Sequence, residues 1–299
     1  MPTILPTMPN ADEPMELEQG SSLWRDAWHR LSKNKIAVFG GVTLIVLTIA
    51  CVFGPLLSSY SYEDQDLYLG ASAPSAEHWL GTDTLGRDLM VRLLVGGRIS
   101  IGVGLCATLV ALTIGVVYGA TAGFFGGKID AFMMRIVDIL MAVPYMFVII
   151  LLLVIFGRSI SMLFVGIGLL SWLEMSRIVR GQTLSIKNKE FIEAAQATGV
   201  PGFLIIVRHI VPNLMGVVAV YATLLVPLMI LTESFISFLG LGVQEPDTSW
   251  GALIFEGAGT MQYGTLWQLA FPLFFFVITL FAFFFVGDGL RDALDPKDR

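Results

Sequence analysis

Few side chains in this sequence have the types and spacing that bond chemistry requires. The three histidines, His29, His78 and His209, lie far apart and outside the segments expected to span a membrane, so a catalytic cluster has no support. Cys51 and Cys106 each fall inside a long apolar stretch, which suggests neither a disulfide framework nor a metal site. GFFGGKID at 123–130 lacks the first glycine of a phosphate-binding loop, and Ile129 stands where Ser or Thr should follow the lysine. GVGLCA at 102–107 fits a loose dinucleotide pattern but has no strand before it. No cofactor or metal is expected on this chain. If ATP is used, another chain binds it.

The residues that stand out are charges in unusual places. Glu233 sits in VPLMILTESFISFLGLG with no basic residue near it. Burying an unpaired carboxylate is costly, so it is expected to be neutral, bonded to another helix or facing an aqueous cavity. Thr232, Ser234 and Ser237 are its nearest hydroxyl donors. Two roles stay open for Glu233 and Ser237, packing and lining a pathway. Arg135 with Asp138, and Glu174 with Arg177, are each three apart and read as local structural pairs.

Residues 187–199, KNKEFIEAAQATG, read as a short helix with Glu190, Glu193, Ala194 and Ala197 on one face. Gly199 is its C-terminal stop, with Pro201 just beyond. A second short helix, FLIIVRHIV, runs to Pro212, which suits the first turn of the next long helix. Small side chains beside a carboxylate suit docking into a groove on a partner. A solvated interhelical loop is the alternative.

The elements that must carry these residues follow from composition. Of 299 residues, 55% are from the AVILMFWYC set and 14% are charged, against roughly 25% charged in soluble domains. That composition describes a membrane protein. The formal charge of −6 argues against nucleic acid as a partner, because phosphate binding needs a basic footprint. Residues 1–20 hold Asp12, Glu13, Glu16 and Glu18 and no Lys or Arg, unlike a cleavable signal peptide.

Six segments are long enough to span a bilayer as helices: 36–57, 99–122, 132–156, 161–184, 213–238 and 269–286. Pro144 and Pro227 are expected to kink the third and fifth. With the amino terminus inside, eleven basic residues fall in inner segments against four in outer ones, so the positive-inside rule places both termini in the cytoplasm. On that topology the outer loops carry a net −5 and the inner segments −1. LMVRLLVGGR at 89–98 is amphipathic and is expected to lie along the outer interface. Trp250 and Trp267 read as interfacial anchors. In the second span Ala107, Ala111, Gly115, Gly119 and Gly123 recur at every fourth position, a spacing for close helix approach within the chain or between subunits.

EAAQATG at 193–199 followed by HIVPN at 209–213 resembles the EAA loop of type I ATP-binding-cassette importer permeases. GTDTLGRDLMVRLLVGGRIS at 81–100, GGKIDAFMMRIVDILMAVP at 126–144, SFLGLG, SWGALI and GDGLRDALDPKDR are similar to the peptide/nickel subfamily. The resemblance implies an all-α membrane fold of six spans with a cytoplasmic coupling helix. It divides the chain into a tail (1–35), a first helix (36–57), an outer loop (58–98), a five-helix domain (99–286) containing the coupling loop (187–212), and a tail (287–299). It further implies a non-catalytic subunit beside a homologous permease subunit in a heterodimer. Two ATPase subunits would bind ATP and Mg, and a periplasmic or lipid-anchored binding protein would deliver peptide. Glu190, Glu193, Ala194, Ala195, Gly199 and Pro212 would form the contact with an ATPase. Oligopeptides are the expected substrate; dipeptides, nickel, haem and antimicrobial peptides are the family's other options. A secondary transporter would leave the charged 187–212 element unexplained.

Overall fold

Apolar runs fold as helices in a bilayer because each backbone N–H and C=O must find its partner within the segment. The computed structural model describes residues 23–294. The acidic residues Asp12, Glu13, Glu16 and Glu18, and Lys297 and Arg299, lie outside them. Asn34 separates α1 (Leu23–Lys33) from α2 (Lys35–Leu57), and its side chain caps α2 by accepting from the N–H groups of Ile36 and Ala37. Asp88 caps α3 (Leu89–Phe125) in the same way, through the N–H of Val91. There follow α4 (Gly127–Met141), α5 (Tyr145–Phe156), α6 (Ile160–Ile186) and the short α7 (Glu190–Ala197). Helix α8 (Gly202–Ile205) runs through a π turn (Ile206–Ile210) into α9 (Val211–Phe238), and α10 (Trp250–Thr260) and α11 (Trp267–Leu294) complete the chain. Among the described residues no strand forms beyond an isolated bridge between Thr82 and Asp88.

Five helices are long and apolar enough to cross a membrane, and α4 with α5 makes a sixth crossing if the two act as one span. The kinked third span expected at 132–156 is instead two helices meeting at 73°. Pro144 has no N–H for the Leu140 carbonyl and drives Val143 out of helical conformation, so the ladder stops there. Pro227 stays inside the unbroken α9. The second short helix expected before Pro212 is no separate element either. It is α8 and the π turn, which run on without a break into α9 (Gly202–Phe238 in all), and the π turn (Val211 N–H to Ile206 C=O) absorbs the N–H that Pro212 lacks.

The segment 89–98 does not lie along a membrane surface. It is the start of α3, and Leu89, Arg92, Leu93 and Val95 are buried. At 37 residues, α3 is about 55 Å long at 1.5 Å per residue, nearly twice the ~30 Å hydrocarbon core. Its first turns are therefore free to pack against the loops at one end of the bundle. Trp250 is likewise no surface anchor: it is fully buried, and its Nε1 donates to the Leu93 carbonyl at 3.0 Å. Trp267 Nε1 donates to the Thr82 carbonyl at 3.1 Å.

The small-residue stripe of α3 packs against α6 within this chain. A Cβ on Gly119 would stand 2.3 Å from the Ser176 carbonyl oxygen, and one on Gly115 would stand 2.7 Å from Met175 Cβ. Gly123 meets Thr183 in the same way, and Ala107 and Ala111 are buried alongside. Close approach lets dispersion contacts accumulate where lipid supplies no hydrophobic drive between helices. Two ion pairs join α6 to α4. Arg180 holds Asp130 of α4 at 2.5 and 2.6 Å, and Arg177 holds Asp138. The local pairs expected from sequence are thus replaced by cross-helix ones, because on α6 both arginines face α4.

Candidate functional site

Helix α7 lies at the end of the bundle that holds the C-terminus of α3. Ile192 and Ala195 turn inward and pack with Val116 and Ala120 of α3, Val179 of α6 and Ile205 of α8. Glu190, Glu193, Ala194 and Ala197 are exposed. The two glutamates sit in the first turn, where the helix dipole favours a carboxylate, and neither has an ion pair or side-chain hydrogen bond among the described residues. Gly199 at φ +77° ends the helix in a Schellman closure, with its own N–H on the Gln196 carbonyl and the Val200 N–H on that of Ala195. Ala195, expected with Ala194 on the partner-facing side, is buried at 8% exposure and packs into the chain's own core. Pro212 is exposed in the first turn of α9.

Sequence reasoning missed the aromatic part of this surface. Phe191 is 44% exposed beside the carboxylates of α7, and Phe203 on the neighbouring α8 is 72% exposed. The signal was available: Phe191 falls on the polar side of an eight-residue helix whose inward positions are Ile192 and Ala195. Carboxylates, a small alanine and two uncovered rings suit a partner groove with a basic residue and apolar walls.

At the opposite end of α3 the charges are internal. Arg92 is fully buried, and its Nη1 lies 2.6 Å from both Asp83 Oδ2 and Glu256 Oε2. Arg87 pairs with Asp83 at 2.6 Å and with Glu245 at 2.9 Å. His78 Nδ1 meets Asp88 Oδ2 at 2.9 Å. Much of the acidity assigned to this face is thus already matched by internal bases. The acids of this face without an ion pair among the described residues are Glu63, Asp64, Asp66 and Glu77, all exposed, and the half-buried Asp247.

Glu233 lies between these two ends and is fully buried. Ser100 Oγ of α3 donates to Oε2 at 2.8 Å, and Ser237 Oγ donates to Oε1 at 2.7 Å. Ser234 Oγ adds a third contact at 3.2 Å, and the Trp250 N–H donates to Ser100 Oγ. The carboxyl therefore ties α3, α9 and the start of α10 together. Both Glu233 and Ser237 are buried, and their mutual hydrogen bond is in keeping with the packing role of the two left open. Ser100 was invisible as a partner because it is 133 residues away, and Thr232 bonds its own helix at the Leu228 carbonyl instead.

Comparison with known proteins agrees with this geometry. Residues 115–299 match the model of the binding-protein-dependent transport system inner membrane component family, and residues 22–74 match the N-terminal TM domain of oligopeptide transport permease C. The chain is 55% identical to the oligopeptide transport system permease protein OppC of Escherichia coli K12, over 98% of this chain and 97% of that one. It is 53% identical to the OppC of Haemophilus influenzae over 96% and 92%. It is 48% identical to the dipeptide transport system permease protein DppC of Bacillus subtilis over 93% and 87%. Among solved structures, an inward-facing MetNI methionine ABC transporter superposes with a TM-score of 0.54 at 17% identity, over 69% of this chain and 98% of that one. That likeness shows a shared fold. The relatives are named permease proteins, and the chain is likewise a multi-pass, non-catalytic membrane component of a transporter. It belongs to the binding-protein-dependent transport system inner membrane component family.

Proposed function

We propose that this chain is one of two homologous permease subunits of an ATP-driven importer of oligopeptides, and that α7 is the coupling helix seated on an ATPase subunit. The observation that carries the reading is the division of α7. Ile192 and Ala195 fasten it to α3, α6 and α8, while Glu190, Glu193, Ala194 and Phe191 face outward and unpaired. A helix anchored on one side and uncovered on the other passes a push into the bundle rather than absorbing it. Helix α3 then carries that motion the length of the molecule, from Ala120 beside α7 to Arg92 in the charged end.

On this reading α7 and both termini are cytoplasmic, in keeping with the basic residues of the inner segments. ATP and Mg bind to the partner ATPases, and a peptide-binding protein docks at the end where Glu63, Asp64, Asp66 and Glu77 are exposed. Oligopeptide relatives at 53–55% identity support the substrate class.

The test is Glu193→Lys in the reconstituted importer. The subunits should co-purify and ATP hydrolysis should persist, while peptide uptake falls at least about tenfold, equivalent to ~1.4 kcal/mol of lost coupling. Normal uptake by an assembled variant would overturn the assignment.

A further inference from the structure

The break between α4 and α5 opens a cavity of about 310 Å³ that the helix-packing and coupling roles leave unused. It is lined by Met141 and Pro144 at the break, Tyr145 of α5, Ser171 and Glu174 of α6, and Met229 of α9. Glu174 lies near the middle of a membrane-spanning helix. Its expected partner Arg177 is engaged by Asp138, and Glu174 has no hydrogen bond or ion pair among the described residues. A carboxylate at such a depth without a partner marks a ligand pathway more often than a structural site.

The rest of the lining is mostly leucine and methionine, and the helix end at the break adds partial charge of the same sign. Helix α4 ends at Met141, so the negative end of its dipole is turned toward the break. Pro144 supplies no N–H to the Leu140 carbonyl, and both residues line the cavity. The hydroxyls of Ser171 and Tyr145 lie 3.5 Å apart, and the thioethers of Met141 and Met229 form adaptable apolar walls. The volume is that of a small ligand site, larger than one inserted side chain needs.

We propose that this cavity receives the amino-terminal end of a peptide in transit, with Glu174 as counter-ion to its α-ammonium group. The proposal rests on the peptide-import reading above. Peptides share an α-ammonium and differ in side chains, and the site has one fixed charge among deformable methionine walls. That combination binds the common group and tolerates the variable ones. A basic side chain of the second permease subunit is the competing occupant.

The test uses the complete detergent-purified complex carrying Val143→Cys and Cys106→Ser, with alkylation of the new thiol by N-ethylmaleimide as readout. Trialanine at about ten times its Kd should slow alkylation roughly tenfold by mass action. N-acetyl-trialanine should give no protection, and Glu174→Gln should abolish the protection by trialanine. Equal protection by both peptides, protection that survives Glu174→Gln, or no protection at all overturns the proposal. So does loss of the second permease subunit on Glu174→Gln, which would assign the carboxylate to the subunit seam. Uptake of trialanine by the unmodified importer in proteoliposomes separates the two readings. Uptake without protection removes this proposal alone; absence of uptake removes the peptide reading and this proposal with it.

Discussion

Arg92 and Glu256, 164 residues apart in the chain, meet as a two-pronged ion pair at 2.6 and 3.0 Å. The same guanidinium also holds Asp83, so three elements are locked by one buried cation: the loop before α3, α3 itself and α10.

Replacing Arg92 by Met should therefore be costly. Asp83 would keep only Arg87, and removing one partner of a buried pair costs about 3–5 kcal/mol. Glu256→Gln should cost only about 1 kcal/mol, because the carboxylate is 32% exposed and the amide can still accept from Arg92. Thermal unfolding of the detergent-solubilised protein, followed by tryptophan fluorescence, checks the order. Equal shifts for the two variants would show that the cation is not the shared lock.

Glycines of α3 divide into those that touch α6 and those that do not. Gly119→Ala puts a methyl 2.3 Å from a backbone oxygen that cannot swing aside, so the helices must separate, at about 1–3 kcal/mol. Gly102→Ala meets nothing within 4 Å and should be neutral or stabilising by up to ~1 kcal/mol through helix propensity. The two melting curves, measured side by side, decide whether the stripe packs in the way described.

Glu233→Gln should be tolerated within about 1 kcal/mol, because the amide oxygen can still accept from Ser100 or Ser237. Glu233→Leu removes every acceptor and leaves buried hydroxyls unmatched, at about 1–3 kcal/mol. Limited proteolysis of the segment around α10 should speed up in the Leu variant and stay unchanged in the Gln variant. Should the Leu variant match the parent, the cluster does not hold α10 in place.

How much of this was legible can be followed residue by residue. Gly199 announced the end of α7 because only a residue free to adopt positive φ closes a helix that way, and that preference is local. Glu233 announced itself by the absence of a nearby base. Its donor Ser100 did not, because nothing in the sequence relates position 100 to position 233 until α3 and α9 are packed. Arg177 and Asp138 misled for the same reason: each had a partner three residues away, and the bundle brought a better one across.

The amino-acid sequence by itself determined that the chain is a helical membrane protein, where most helices run and which short segment presents carboxylates and small residues. Those features depend on hydrophobic length, helical period and backbone conformation, all set within a few turns. Only the tertiary structure decided which charges pair, which face of α7 is anchored, that 89–98 is buried, and that Pro144 breaks a span and opens a cavity beside Glu174. The first three depend on side chains that are distant in sequence and meet only when helices pack; the break at Pro144 is local, but the cavity beside it exists only because α6 and α9 close it.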